Sequence, residues 1–397
     1  MFARIARVVG NLFTVVDDTK PSNRVRLACE SLEDRCTPAG FVVNTAEDGN
    51  DSNLGDNEAG YTNAAGKFVT SLRSAIQQGN ANVSKGDAKH TISFNRQEMK
   101  SNVISLVTVD KITKTPELPA LDADYLINVA VTPAAEGDPP PEPLVVERPS
   151  NAATEFRIFD IKENRTVQIV NLHMRGGHTD GAGGGIQTGG NLTLSDCAIY
   201  DNTSQFGGGV SAFAGKLSVI KSHIYLNEAI AAGGGIQVAS EVSEFRLEQS
   251  HVYSNGVGCD GGGVWTAAKS NFIAQTQMYG NSAGSNGGGL YAESRFNMFD
   301  CLIHGNSASS YGGGIYIETP QAAENLIAFG KLTSNTAGGK GGGFYLKSGK
   351  LVLREPAAIS GNKATLGLAG GGYLPPATVT LIWANIPPGS QFPEDDQ

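Results

Sequence analysis

From about residue 176 onward, apolar residues recur in short alternating runs, and the whole pattern repeats every 24–29 residues. One apolar position follows each of eight glycine triplets: Ile186, Val210, Ile236, Val264, Leu290, Ile315, Phe344 and Tyr373. A second run carries pairs two apart, such as Leu192/Leu194, Leu217/Val219, Phe245/Leu247 and Leu351/Leu353. A third carries Ile199, Ile224, Val252, Met278, Ile303, Leu332 and Ile359, each three positions before an asparagine. A spacing of two marks a strand with one buried face. Three such strands with bends between them make one turn of a coil, and stacked turns pair each strand with its copies above and below. The pattern predicts an all-β chain, a right-handed parallel β-helix with regular repeats and a C-terminal cap over 176–397. A cap and irregular first turns fill 40–175, and residues 1–39 form a separate leader.

The triplets begin at Gly183, Gly207, Gly233, Gly261, Gly287, Gly312, Gly341 and Gly370. Glycine at a fixed place implies positive φ or close backbone approach at one corner of each turn. Asn202, Asn227, Asn255, Asn281, Asn306, Asn335 and Asn362 mark another corner. Asparagine tolerates the left-handed region and can pass amide-to-carbonyl bonds along a stack. The Leu-x-x-Leu-x-Leu phrase of leucine-rich repeats is missing, and a propeller blade needs about 40 residues.

Upstream, Phe41-Val42-Val43 starts a strand and 48–63 reads as a polar loop. Thr70-Ser71 N-caps a short helix that places Leu72, Ala75 and Ile76 on one face. A solenoid exposes the end of its core, which such a helix would cover. Val103–Val109 and Leu144–Val146 read as strands, and Pro139–Pro143 as a stiff exposed excursion.

Three stretches resemble known families. Leu32-Glu33-Asp34-Arg35-Cys36-Thr37-Pro38-Ala39 resembles the Leu-Glu-Asp-Arg-x-x-Pro-Ala leader of planctomycete exported proteins. The resemblance implies export, with processing after Ala39. Thr70–Ile76, with Ala81-Asn82 and Thr91-Ile92-Ser93-Phe94, resembles the Cys-Ser-Leu-Arg-Glu-Ala-Ile motif that opens secreted bacterial β-helices. Thr70 replaces its cysteine and Ser74 its glutamate, so the pairing of Arg73 with that glutamate is absent. The glycine triplets with Asn-x-Ala resemble the repeats of chlamydial polymorphic outer-membrane proteins. Together these imply an extracellular or outer-cell-surface protein.

Composition narrows the function. A net charge of −9 over 397 residues argues against a nucleic-acid binder, which needs a basic face. No apolar run reaches transmembrane length. Cys197 and Cys301 fall at equivalent positions four turns apart, roughly 19 Å at the ~4.8 Å strand spacing, and read as small buried thiols. Nothing points to a cofactor or metal, and none of these features sets an oligomeric state.

A calcium-dependent lyase needs carboxylates at one register in adjacent turns. The register before Cys197 holds Asp196, Lys221, Gln249, Gln275, Asp300, Phe329 and Pro356, with no neighbouring pair. His178-Thr179-Asp180 and Cys259-Asp260 read as polar corner residues. No catalytic residue is assigned.

Two aromatic registers stand out. Trp265, Tyr291, Tyr316 and Tyr345 each follow an inward residue, and Tyr200, Tyr225, Tyr253 and Tyr279 each precede an asparagine by two. Strict alternation turns both outward. Such rows can bind a polysaccharide or a surface protein; an intramolecular ladder, or rings covered by the C-terminal tail, is the reading the rows themselves favour. The sequence therefore favours a non-enzymatic, adhesin-like or ligand-binding protein, with a polysaccharide lyase or glycoside hydrolase as the alternative.

Overall fold

A computed structural model describes residues 40–82, 89–107, 116–130, 141–354, 357–365, 370–374 and 380–384. The leader, the end of the Val103–Val109 run, Pro139-Pro140 and Pro356 lie outside them.

The repeats form a parallel β-solenoid, as the periodicity requires. Each regular turn carries four strands rather than three. The first turn of the array runs Ile186–Thr188, Asn191–Ser195, Ala198–Tyr200 and Thr203–Phe206. These open four parallel sheets, here numbered 1 to 4 in that order, of nine, twelve, ten and seven strands. The fourth strand was missed because it is often two residues long and buries only small side chains. Ala229, Val257, Ala283 and Ala308 form its own small apolar column. The larger core is continuous from Phe41 to Leu353. Every inward position named above is buried except Ile359, which is half-buried, and Tyr373. Tyr373 pairs with Tyr345 and Gly372 with Phe344, so the last triplet sits one residue out of step and Tyr373 joins the outward column.

Two kinds of corner hold the turns. At the glycine corner, Gly207 has φ +62°, and a Cβ on Gly208 would lie 2.4 Å from the Glu228 carbonyl oxygen and 2.5 Å from that of Gly234. At the asparagine corner, the left-handed residue is the one before the asparagine. Asp201, Leu226, Ser254 and Ser334 have φ of 53–56°. The asparagines are instead buried, and their amides form the expected stack. Asn281 Nδ2 donates to Asn306 Oδ1 (2.9 Å) and to the Val252 carbonyl (2.9 Å), while its own Oδ1 accepts from Asn255 Nδ2 (3.0 Å). The register Asp196, Lys221, Gln249, Gln275, Asp300 and Phe329 makes a further left-handed bend between sheets 2 and 3. Cys197 and Cys301 are free and buried beside it, and burial pushes both thiols up to about 12.

The capping helix, α1, spans Leu72–Asn82. The Ser74 N–H donates to Ser71 Oγ (3.0 Å) and the Ser71 N–H to Ser74 Oγ (2.9 Å). This is a reciprocal capping box in which Ser74 does the work of the missing glutamate. Arg73 finds a different partner. Its guanidinium pairs with Asp48 (2.7 and 3.0 Å) and donates to the carbonyls of Pro116 (2.6 Å) and Glu117 (2.7 Å). Both side chains are almost completely buried. The segment expected as a polar loop therefore folds over the helix and ties it down.

Candidate functional site

The two aromatic registers lie on different sheets and differ in character. On sheet 3, strand pairing aligns Arg175, Tyr200, Tyr225, Tyr253, Tyr279, His304 and Thr333 in one column. The four tyrosines stack face to face at 4.8, 4.8 and 4.9 Å, and His304 continues the stack at 5.0 Å. All are half-buried. Parallel sheets impose this: identical side chains one strand apart share a rotamer and stand about 4.8 Å from each other. The ring faces are consumed by neighbouring rings, so the row presents ring edges and hydroxyls. Tyr225, Tyr253 and Tyr279 make no hydrogen bond to another side chain among the described residues, whereas Tyr200 pairs with Arg175.

A second column on the same face holds His173, Ala198, His223, His251, Gln277, Leu302 and Lys331. His223 and His251 stack at 4.8 Å and set their edges against Tyr253 and Tyr279 at 6.3 and 6.4 Å. Burial, then the neighbouring imidazole, holds His173 and His223 below the ordinary histidine value. Burial likewise pushes the Tyr225 phenol up to about 12, helped by Tyr200 and Tyr253. At the upper end Arg175 binds Glu147 (2.6 and 2.8 Å), and Glu147 accepts from Ser105 Oγ (2.6 Å). Ser105 also lines an open groove of about 770 Å³ beside the cap, with Glu47, Tyr61, Lys67 and Glu98. Periodicity gave no sign of this groove, because its walls come from the irregular segments.

On sheet 1 the column reads Gln187, Ser211, Gln237, Trp265, Tyr291, Tyr316, Tyr345 and Tyr373. Here the outward side of the sheet is not an exposed one. Tyr291 is only 6% exposed and Tyr316 only 4%. Trp265 and Tyr345 are half-buried. Successive rings stack at 6.5, 4.7, 5.3 and 5.2 Å, and Tyr311, from across the glycine corner, stacks on Tyr345 at 4.8 Å. Tyr291 Oη donates to Glu318 Oε2 (2.8 Å), and Lys347 pairs with Glu318 Oε1 (2.5 Å). Lys340 donates to Tyr373 Oη (2.8 Å) and lies 4.1 Å from that ring's centroid. Burial, reinforced by Glu318, raises the Tyr291 and Tyr316 phenols far above the usual tyrosine range.

Carboxylates flank this second ladder. Asp260 Oδ1 accepts from the Asn286 N–H (2.9 Å) and Nδ2 (3.0 Å). Burial, then Glu318 and Asp260, raises the Glu293 carboxyl. Cys259 is free and exposed. His178 sits 3.5 Å from Glu155 in a corner bridge. Among the described residues, no group of three or more His, Cys, Asp or Glu is placed to hold a metal, and no helix is long and apolar enough to cross a membrane.

Residues 300–318 match the family model described as the Chlamydia polymorphic membrane protein (Chlamydia_PMP) repeat. No curated protein and no solved structure matches the chain. The matched stretch runs from the sheet-3 strand bearing His304, through Asn306 and the Gly312 triplet, to Tyr316 and Glu318 on sheet 1. It therefore contains the asparagine corner and the glycine corner of one turn, and the chain is a parallel β-solenoid carrying a repeat of this type.

Proposed function

We propose that this is an exported, cell-surface β-solenoid protein that binds a polysaccharide or another surface protein through the flank of sheet 3, without catalysing a reaction. The carrying observation is the half-exposed row Tyr225, Tyr253 and Tyr279, whose rings stack 4.8 and 4.9 Å apart and whose hydroxyls have no side-chain partner among the described residues. Tyr200, Tyr225, Tyr253 and Tyr279 form the contact face. Trp265, Tyr291, Tyr316 and Tyr345 serve internal packing. The leader motif at Leu32–Ala39 supports export. The engagement of Glu318 by Tyr291 and Lys347, and of Asp260 by Asn286, supports a structural use of those carboxylates. Binding of wild type and Tyr225→Ala/Tyr253→Ala to a glycan array and to cell-surface protein extracts tests the reading. Loss of a wild-type signal in the variant supports it; a signal equal in both would refute it.

One second reading, a glycoside hydrolase, is favoured by the grouping of Glu293 with Glu318 and Asp260 beside the sheet-1 ladder, with Glu293 as the acid. Release of reducing ends by wild type and not by Glu293→Gln would establish it. Silence from both would remove it.

A further inference from the structure

The outward face of sheet 3 between Leu172–Arg175 and Ala358–Ser360 carries no carboxylate. This is unusual on a chain of net charge −9. The face instead holds Arg175, Lys331 and four imidazoles: His173, His223, His251 and His304. The groups around it are Lys221, Asp196, Asp201 and Asp300 at the bends and Glu147 on Arg175. Three cations against four carboxylates leave one net negative charge while the imidazoles are neutral. Four added protons make the same face three positive. The sign of the face is thus set by its histidines.

We propose that this flank binds an acidic polysaccharide, a linear chain bearing carboxylates or sulfates, in mildly acid solution and releases it at neutral pH. The inference rests on the binding reading above and names the ligand class and its control. The column from Arg175 to His304 is five strand steps, roughly 24 Å long, and offers a similar donor at each step. A polymer with a repeating acid group meets such a row in register, whereas a peptide of varied sequence does not. Nucleic-acid bases need ring faces to stack on, and the faces of Tyr225 and Tyr253 are already covered on both sides.

The histidines supply the switch by geometry. His223 and His251 stack at 4.8 Å, so protonating both places like charges in contact. Burial and that repulsion keep His223 neutral until the solution is more acid than its ordinary titration point. A polyanion laid across the pair relieves the repulsion, so binding takes up protons and tightens as the solution turns acid. At neutral pH the imidazoles discharge, and the bend aspartates repel the chain.

The test is affinity of the full chain for dextran sulfate, whose charge is constant, at pH 7.5 and 5.0. Neutral dextran, polygalacturonate and poly-glutamate serve as companions. Dextran sulfate and polygalacturonate should bind at least tenfold more tightly at the lower pH, and neutral dextran at neither. His223→Gln/His251→Gln should cut that ratio to threefold or less with an unchanged melting temperature. An unchanged ratio in this variant would move the site elsewhere and overturn the proposal, as would absence of binding at both pH values. Poly-glutamate binding more tightly than either polysaccharide would overturn it in favour of an acidic protein. A Tyr225/Tyr253-dependent signal from neutral glycans, with no pH response to dextran sulfate, would end this inference and leave the general binding reading standing.

Discussion

The sheet-3 and sheet-1 ladders are built by one rule and end in opposite conditions. Both are columns of tyrosines repeated at the strand spacing on the outer side of a parallel sheet. On sheet 3 the rings stay half-exposed, among imidazoles and without carboxylates. On sheet 1 the glycine corner folds Tyr311 onto Tyr345, Glu318 takes the Tyr291 hydroxyl, and Tyr291 and Tyr316 are buried. Stacking alone therefore does not distinguish a binding face from an internal spine. What decides it is whether the neighbouring turn segments close over the column.

Substitution should separate the two most sharply. Tyr316→Ala removes a buried ring held between two others and should cost about 3–5 kcal/mol. Tyr253→Ala, on the open ladder, should cost about 1 kcal/mol or less. Urea denaturation of both variants checks this, and equal costs would erase the distinction. Asn281→Ala breaks the amide stack that aligns the turns beneath both ladders, leaving Asn255 Nδ2 and N–H without their acceptor. A loss of about 2–3 kcal/mol is expected by the same measurement. Glu318→Gln weakens only the sheet-1 side and should cost no more than about 1 kcal/mol, since the group is partly exposed.

Titration gives a smaller, finer contrast. Raised phenols favour the folded state fully below the unfolded tyrosine value of about 10, and that contribution is lost as pH rises toward the folded values. In a phenolate absorbance titration Tyr225 should ionise near 12, while Tyr291 and Tyr316 should ionise only together with unfolding. His223 works in the other direction. Its lowered value contributes stability above about pH 6.5 that is lost as pH falls through the folded value. Its NMR resonance should titrate below the ordinary histidine value.

The repeat was legible because inward columns and glycine triplets recur at a fixed period, and a period survives any local irregularity. Other features were hidden for identifiable reasons. The fourth strand buries alanines such as Ala283 and Ala308, which carry too little hydrophobic contrast to mark a strand. The asparagines advertised the corner, yet the backbone strain sits one residue earlier, on positions as unlike as Asp201 and Leu226. Arg73 meets Asp48, a partner 25 residues upstream that no local motif names. The candidate site divides similarly. Strand alternation located both tyrosine columns, but Tyr311 reaches one of them from outside its strands, and the bond from Tyr291 to Glu318 joins two strands, neither of which alternation within one strand can register.

Hydroxyl-radical footprinting of the folded chain, read by mass spectrometry with and without dextran sulfate at pH 5.0, tests the central contrast most directly. Tyr225, Tyr253 and Tyr279 should be modified in the free protein and protected by the polymer, with Tyr291 and Tyr316 unreactive in both. Ready modification of Tyr291 and Tyr316, or protection confined to sheet 1, would contradict the account.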